Sequence, residues 1–302
     1  MSKWPQHVIV KEVGPRDGLQ NEKTTIATED KITWINKLSN TGLTYIEITS
    51  FVHPKWVPQL ADALEVAMNI ERVPGVTYAA LVPNIKGLEK AIAAQIDEVS
   101  VFMSASETHN RKNINKSIED TFPVLAEVVN EAKKTGKTVR GYVSTVFGCP
   151  YEGAVSVEQV MTVSEKLFEM GIDELSLGDT IGVATPRQVQ DVLEQLLTRF
   201  PKEKLAMHFH DTRGTALANV LASLEMGITT FDSSLGGLGG CPYAPGASGN
   251  VATDDLLYML HGMQISTGVD FKRLTEAALF IQGKIGRALN SHHLQALTPS
   301  HS

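Results

Sequence analysis

The sequence predicts a single closed (β/α)8 barrel, a TIM-type α/β domain spanning residues 1–302, with a helical extension from about residue 265. Three observations lead to that fold class. Eight apolar, β-rich runs alternate with amphipathic helical stretches almost without interruption, as in a parallel sheet built from βα units. A chain of 302 residues makes either two modest domains or one large barrel, and no low-complexity linker divides this one. Neither a Gly-x-Gly-x-x-Gly after the first strand nor a P-loop occurs, which disfavours the competing doubly wound open sheet.

In chain order the expected strands are HVIVKEVG (7–14), YIEITSF (45–51), VTYAALV (76–82), DEVSVFM (97–103), TVRGYVSTVF (138–147), ELSLGD (174–179), LAMHFHD (205–211) and TTFDSSL (229–235). Helical periodicity fills the gaps between them. Val160, Val163, Leu167 and Met170 form one apolar stripe. The next helix is the clearest: Thr185 and Gln188 suit a capping box, Pro186 takes the first helical position, and Val189, Val192, Leu193 and Leu196 repeat at i, i+3, i+4 and i+7. Leu217, Val220, Leu221 and Leu224 repeat the idea one unit later, and a further helix is expected over 270–288.

Composition narrows the function classes. The chain is 42% hydrophobic and 20% charged, with a net charge of -7, which argues against a nucleic-acid footprint. A polyanionic small molecule stays possible, because local field matters more than net charge. No apolar run approaches a membrane span of roughly 20 residues. The two cysteines, Cys149 and Cys241, are too few for a disulfide framework and fit a reducing compartment. With no signal or transit peptide before the first strand, a bacterial-type cytoplasmic protein is expected.

In a barrel of this kind function collects at the C-terminal ends of the strands. Five of those ends carry chemistry. Strand one runs into "GPRDGLQNEK" with Arg16 and Asp17, strand two carries Glu47, and strand six ends at Asp179. "MHFHDTRG" (207–214) puts His208 and His210 on one face of strand seven, since alternate strand residues point together. Strand eight leads into a glycine-rich loop, 236–250, holding Cys241 and Asn250. Each residue alone has a structural reading: the histidines as satisfied core groups, Asp17 as a turn cap, Glu47 as an ion-pair partner. Their shared placement is what favours a site. Asp211, on the opposite face from the histidines, is a weaker candidate.

His208, His210 and Asp17 offer two nitrogens and a carboxylate oxygen, and the amide oxygen of Asn250 would make a fourth ligand. Mixed imidazole and oxygen ligation with open positions suits Mg2+ or Mn2+, although ligand type alone also admits Zn2+ or Co2+. Arg16 is placed to meet a substrate oxyanion or to pair with Glu47. Cys241, after the glycines of GGLGG, is better placed for acid–base chemistry than for packing, whereas Cys149 reads as a buried, inert thiol.

These motifs resemble the 3-hydroxy-3-methylglutaryl-CoA lyase family over nearly the whole chain. The stretches that carry the resemblance are "VGPRDGLQNE" (13–22), "IEITSF" (46–51), "SLGDTIGVATP" (176–186), "HFHDT" (208–212) and "SLGGLGGCPYAPGASGN" (234–250), the last being the most specific. The resemblance implies that Asp17, His208, His210 and Asn250 bind a divalent cation, Mg2+ or Mn2+. It implies Arg16 as oxyanion stabiliser and substrate contact, Cys241 as a catalytic thiol, and Glu47 and Asp179 as supporting acids. His208 or one of the carboxylates Asp17, Glu47 and Asp179 would be the base. Asp254 departs from the pattern, where glutamate is expected.

The implied reaction is cleavage of the bond between a tertiary alcohol carbon and the carbon next to a thioester, giving acetoacetate and acetyl-CoA. The substrate would be an acyl-CoA thioester, with neither nucleic acid nor membrane as partner. Lys112 and the asparagines of "SASETHNRKNIN" (104–115), Asn113 among them, are candidates for contacts to the CoA. A homo-oligomer, a dimer, is the expected assembly. The alternative is a related metal-dependent aldolase or Claisen-type condensing synthase on the same barrel, which would have no evident use for Cys241.

Overall fold

The structure, a computed structural model, describes residues 4–240 and 249–297. Eight parallel strands close into a barrel in sequential order, β1 (Ile9–Glu12), β2 (Tyr45–Ser50), β3 (Thr77–Leu81), β4 (Glu98–Ser104), β5 (Thr138–Ser144), β6 (Glu174–Asp179), β7 (Leu205–Phe209) and β8 (Thr230–Ser233), with β8 pairing back onto β1. All eight expected runs form strands. Several end short of their apolar stretch, because backbone pairing stops where the chain turns into the loop above the barrel.

The outer wall is assembled from α1 (Thr28–Ser39), α2 (Ala63–Asn69), α3 (Ile85–Ala93), α4 (Glu107–Ile114), α5 (Ile118–Lys134), α6 (Val157–Glu169), α7 (Pro186–Leu196), α8 (Ala216–Glu225) and α9 (Thr253–Gly262). After the last of these come α10 (Phe271–Ile285), which packs against α1 and α9, and α11 (His292–Leu297), which packs against α9. The capping box of α7 is present, Thr185 and Gln188 each serving the other's backbone N–H. In α8 the buried stripe differs from expectation: Leu217 and Leu221 are only half-buried, while Ala216, Asn219, Val220, Ser223 and Leu224 face inward. α8 packs closely on α7. Asn219 donates to the Ala184 carbonyl and Ser223 to that of Asn219, so the donor groups of both buried side chains are paired.

Strand alternation separates two environments. Val99, Val101, Val139, Val143, Leu175, Leu177, Leu205, Met207 and Phe231 are fully buried in the apolar layer shared with the helices. Their neighbours along the strands, Arg140, Tyr142, Glu174, Ser176, His208 and Asp232, are joined to one another by hydrogen bonds across the barrel interior. A barrel interior is ordinarily filled by branched apolar residues. This one is filled by a charge network.

Candidate metal centre and active site

After β1 the chain makes a π-helical turn, Gly14–Gly18, in which the Val13 carbonyl accepts from the N–H groups of Arg16 and Asp17 at 3.1 and 2.7 Å. Such turns are rare and often mark functional sites. Glu12 fixes this one. Its Oε1 accepts from Gly14 N at 2.8 Å and Leu235 N at 2.9 Å, and its Oε2 accepts from Thr253 Oγ1 at 2.6 Å. One buried carboxyl therefore ties the turn bearing Arg16 and Asp17 to the start of the loop after β8. Burial pushes the Glu12 carboxyl up to about 7 against these hydrogen bonds.

Arg16 is buried. Its Nε donates to Glu47 Oε2 and its Nη1 to Asp17 Oδ1, both at 2.5 Å. Burial would weaken the guanidinium's hold on its proton, but Glu47 and Asp17 raise it well above the ordinary value. Two carboxylates thus hold the fork in one orientation and use two of its five donors. Glu47 Oε2 also accepts from the Tyr142 hydroxyl at 3.3 Å.

The other oxygen of Asp17 faces the histidines. Asp17 Oδ2 lies 3.8 Å from His208 Nε2 and 4.0 Å from His210 Nε2, and the three ligand atoms fall within 4.8 Å of one another. The three residues form a possible metal site. Burial alone would raise the Asp17 carboxyl, yet Arg16, the two imidazoles and the Asn250 amide together hold it below the usual carboxylate range. Burial, reinforced by His208, lowers His210 to about 4, so its ring is neutral at pH 7. An ionised carboxylate and a neutral imidazole are the forms that bind a cation. His210 Nδ1 is buried without a hydrogen-bond partner among the described residues, whereas His208 Nδ1 meets Asp232 Oδ2 at 3.2 Å.

The regular ladder of β7 stops at Phe209, one residue before His210. The pair still shares a face, with ring centroids 5.3 Å apart, because an antiparallel bridge between His210 and Asn250 extends the strand. Val251 N donates to Phe209 O at 2.9 Å and Asp211 N to Gly249 O at 2.8 Å, so the chain returning from the β8 loop lies alongside the end of β7 and delivers Asn250. Two glycines permit this. A side chain on Gly249 (φ +86°) would sit 2.7 Å from the carbonyls of Gly237 and Gly239, and one on Gly239 (φ +118°) would sit 2.7 Å from the Asn250 amide. Asn250 presents its amide nitrogen to Asp17 Oδ2 at 2.8 Å and to the Leu238 carbonyl at 3.1 Å. Ligation through oxygen needs the opposite amide orientation, in which the two atoms exchange places.

Asp179, at the end of β6, accepts from Val183 N at 2.9 Å and Ala184 N at 3.0 Å, shaping the turn into α7. Burial raises it to about 6 despite these bonds. Asp211 accepts from Ala216 N at 2.9 Å at the start of α8 and stands apart from the cluster. Asp254 accepts from Gly236 N at 2.8 Å and supports the β8 loop from beneath, its carboxyl pushed up by burial to about 7. Asn113 is exposed on the last turn of α4, and among the described residues no hydrogen bond links it to the cluster. Within 104–115, Asn110 serves the fold, accepting from Ser104 N and donating to Lys116 O and Thr121 Oγ1. Cys149 is buried, with its sulfur 3.0 Å from Ser106 Oγ. Cys241 lies outside the described residues.

Sequence reasoning at the strand ends missed Arg140, Tyr142 and Asp232. Arg140 donates to Asp232 from Nη2 at 2.7 Å and Nη1 at 3.1 Å, to Glu174 from Nε at 2.6 Å, and to the Tyr142 hydroxyl at 2.7 Å. Burial would raise Asp232, but Arg140 and the bond to His208 hold it far below the ordinary range. A charged residue at an alternating position inside an apolar strand, as in "TVRGYVS" or "TFDSS", is the signal that could have found them.

With this geometry in place, comparison with known proteins gives a consistent result. The HMGL-like family model matches residues 7–281. This chain belongs to the HMGL-like family. Hydroxymethylglutaryl-CoA lyase YngG of Bacillus subtilis is 63% identical over 98% of this chain and 99% of its own. The crystal structure of the B. subtilis HMG-CoA lyase superposes with a TM-score of 0.96 at 64% identity, covering 97% of this chain and 99% of that one. An HMG-CoA lyase from Acinetobacter baumannii, solved in complex with coenzyme A and 3-methylmalate, has a TM-score of 0.94 at 39% identity, covering 100% of this chain and 99% of that one. Among the described residues of this HMGL-like chain, no helix is long and apolar enough to cross a membrane.

Proposed function

We propose that this chain is a divalent-metal-dependent carbon–carbon lyase that cleaves 3-hydroxy-3-methylglutaryl-CoA into acetoacetate and acetyl-CoA. The observation that carries the reading is the convergence of Arg16, Asp17, Glu47, His208, His210 and Asn250 at one end of the barrel, in a chain 63% identical over 98% of its length to a hydroxymethylglutaryl-CoA lyase. The A. baumannii lyase with bound coenzyme A supports a CoA thioester as substrate class.

Asp17, His208, His210 and Asn250 are the residues that would hold the cation, and Mg2+ or Mn2+ suits their oxygen and imidazole donors. Bound there, the cation supplies Lewis acidity toward the substrate's alcohol oxygen. The remaining steps fall to the chain's own groups. Breaking the bond between the alcohol carbon and the thioester's α-carbon leaves negative charge on the thioester oxygen, where the fixed Arg16 fork stabilises it. Asp17 is a poor base, since it is held ionised by Arg16. His208, or one of the carboxylates Glu47 and Asp179, would take the alcohol proton; burial raises Asp179 to about 6. Glu47 orients Arg16, and Cys241 returns a proton to the acetyl-CoA carbanion.

The reading also places CoA contacts in 104–115, Asn113 included, the protein in the cytoplasm, and the active assembly as a homodimer. The experiment is incubation of purified protein with 3-hydroxy-3-methylglutaryl-CoA, Mg2+ or Mn2+, and a thiol reductant, with acetoacetate and acetyl-CoA assayed and related acyl-CoA esters run in parallel. Cleavage in 1:1 stoichiometry that stops on chelation supports the reading. Condensation of an oxo-acid with acetyl-CoA, without cleavage, would replace it with the synthase alternative.

A further inference from the structure

Asp232 touches no substrate in the reading above, yet it faces one of the residues assigned to the cation. Parallel pairing of β7 and β8 sets His208 directly opposite Asp232, so both side chains enter the barrel interior at one level. The carboxylate is 1% exposed and surrounded by donors. Oδ1 accepts from Arg140 Nη2 at 2.7 Å, while Oδ2 accepts from Ser176 Oγ at 2.7 Å and Arg140 Nη1 at 3.1 Å, and lies 3.2 Å from His208 Nδ1.

An ionised carboxylate can only accept. The proton between His208 and Asp232 must therefore sit on Nδ1, because the other tautomer would set a nitrogen lone pair against a carboxylate oxygen. That leaves the Nε2 lone pair turned toward Asp17 Oδ2, 3.8 Å away, and toward the space shared with His210. Arg140 bonds both carboxylate oxygens and compensates the buried charge, which keeps the carboxylate available as an acceptor. His210 provides the contrast, since its Nδ1 has no hydrogen-bond partner among the described residues.

We propose that Asp232, held by Arg140, is a positioning residue that locks His208 as the Nδ1–H tautomer with Nε2 free for the cation. The proposal rests on the metal-centre reading but not on the identity of the substrate. A histidine ligand whose second nitrogen is fixed by a carboxylate is oriented and made more basic, and loss of such a partner typically weakens metal binding roughly 10–100-fold.

The test is long-range 1H–15N correlation NMR of the 15N-histidine-labelled, metal-free full chain at pH 8, with His208 assigned by its missing signal in His208→Asn. Wild-type protein is expected to show His208 protonated at Nδ1. Asp232→Asn, whose amide can donate as well as accept, is expected to mix or invert that tautomer and to weaken Mn2+ binding by calorimetry 10–100-fold. Ser176→Ala, which removes a bond to the same oxygen without touching the imidazole, should leave the His208 tautomer in place. A wild-type His208 protonated at Nε2 overturns the proposal whether or not any variant folds, as does a folded Asp232→Asn with unchanged tautomer and Mn2+ affinity. A protein with the expected tautomer and Mn2+ response that fails to cleave 3-hydroxy-3-methylglutaryl-CoA supports the role of Asp232 and contradicts the substrate reading alone.

Discussion

The guanidinium of Arg16 is locked to Glu47, Nε to Oε2 at 2.5 Å, joining the turn after β1 to the middle of β2. Its second carboxylate partner, Asp17, is its neighbour in sequence and a proposed cation ligand. A single positive group therefore bridges Glu47 and the carboxylate that faces His208 and His210.

Replacing Arg16 by Gln keeps hydrogen-bonding capacity and removes the charge. If Arg16 stabilises the enolate oxygen, kcat falls by at least about 100-fold with KM changed far less, the scale for loss of an oxyanion donor. Steady-state kinetics at saturating metal decide the matter. A large rise in KM with kcat preserved would assign Arg16 to ground-state binding instead.

His210→Ala removes one proposed ligand from the mouth of the barrel while leaving the apolar layer beneath the helices untouched. Metal affinity and turnover are expected to fall together, with the fold retained by circular dichroism. Calorimetric titration with Mn2+ showing unchanged binding would remove His210 from the ligand set.

Glu12 offers a prediction on stability against pH. Its carboxyl is raised to about 7 in the folded protein, so the native state binds that proton more tightly than the unfolded chain does. Such a group contributes stability in its protonated form, fully present below the ordinary carboxylate pKa and lost as pH climbs toward 7. Glu12→Gln is a neutral isostere whose oxygen can still accept from Gly14 and Leu235. Relative to wild type, its unfolding free energy is expected to improve between pH 4.5 and 7 by on the order of 1–3 kcal/mol. Urea titrations at several pH values measure the difference, and a gap that stays constant across this range contradicts the assignment.

Much of this architecture is legible in the sequence, for physical reasons that can be named. Strand positions follow from apolar runs that must be buried on the helix side, and the start of α7 follows from Thr185, Pro186 and Gln188, which act locally. In α8 the large apolar residues dominate the periodicity and predict a stripe through Leu217 and Leu221, whereas Ala216, Asn219 and Ser223 complete the buried face beside Val220 and Leu224. At the site, Arg16, Asp17, His208 and His210 can be found as strand-end residues. The link between His208 and Asp232 cannot, since it depends on strand register across the sheet. The hydrogen bond of Asn250 to Asp17 likewise needs the return of the chain alongside β7, which no local pattern encodes.

Cys241 is the group on which the lyase reading and the synthase alternative differ. If its thiol returns the proton to the carbanion, Cys241→Ser retains metal and substrate binding and loses most turnover, because a hydroxyl is a far weaker acid than a thiol. Alkylation inactivates wild type, and bound substrate protects it. Cys149→Ser, a change at a buried sulfur next to Ser106, leaves turnover close to wild type. A Cys241→Ser enzyme with near wild-type kcat would remove the thiol from the mechanism.

The most direct measurement is turnover of 3-hydroxy-3-methylglutaryl-CoA in D2O with Mg2+ and a thiol reductant, followed by mass spectrometry of the thioester product. Cleavage through an enolate that takes its proton from the protein predicts acetyl-CoA carrying one solvent deuterium in its methyl group, formed together with an equal amount of acetoacetate. No acetyl-CoA from a folded, metal-loaded enzyme, or acetyl-CoA without solvent deuterium, would contradict the proposed reaction.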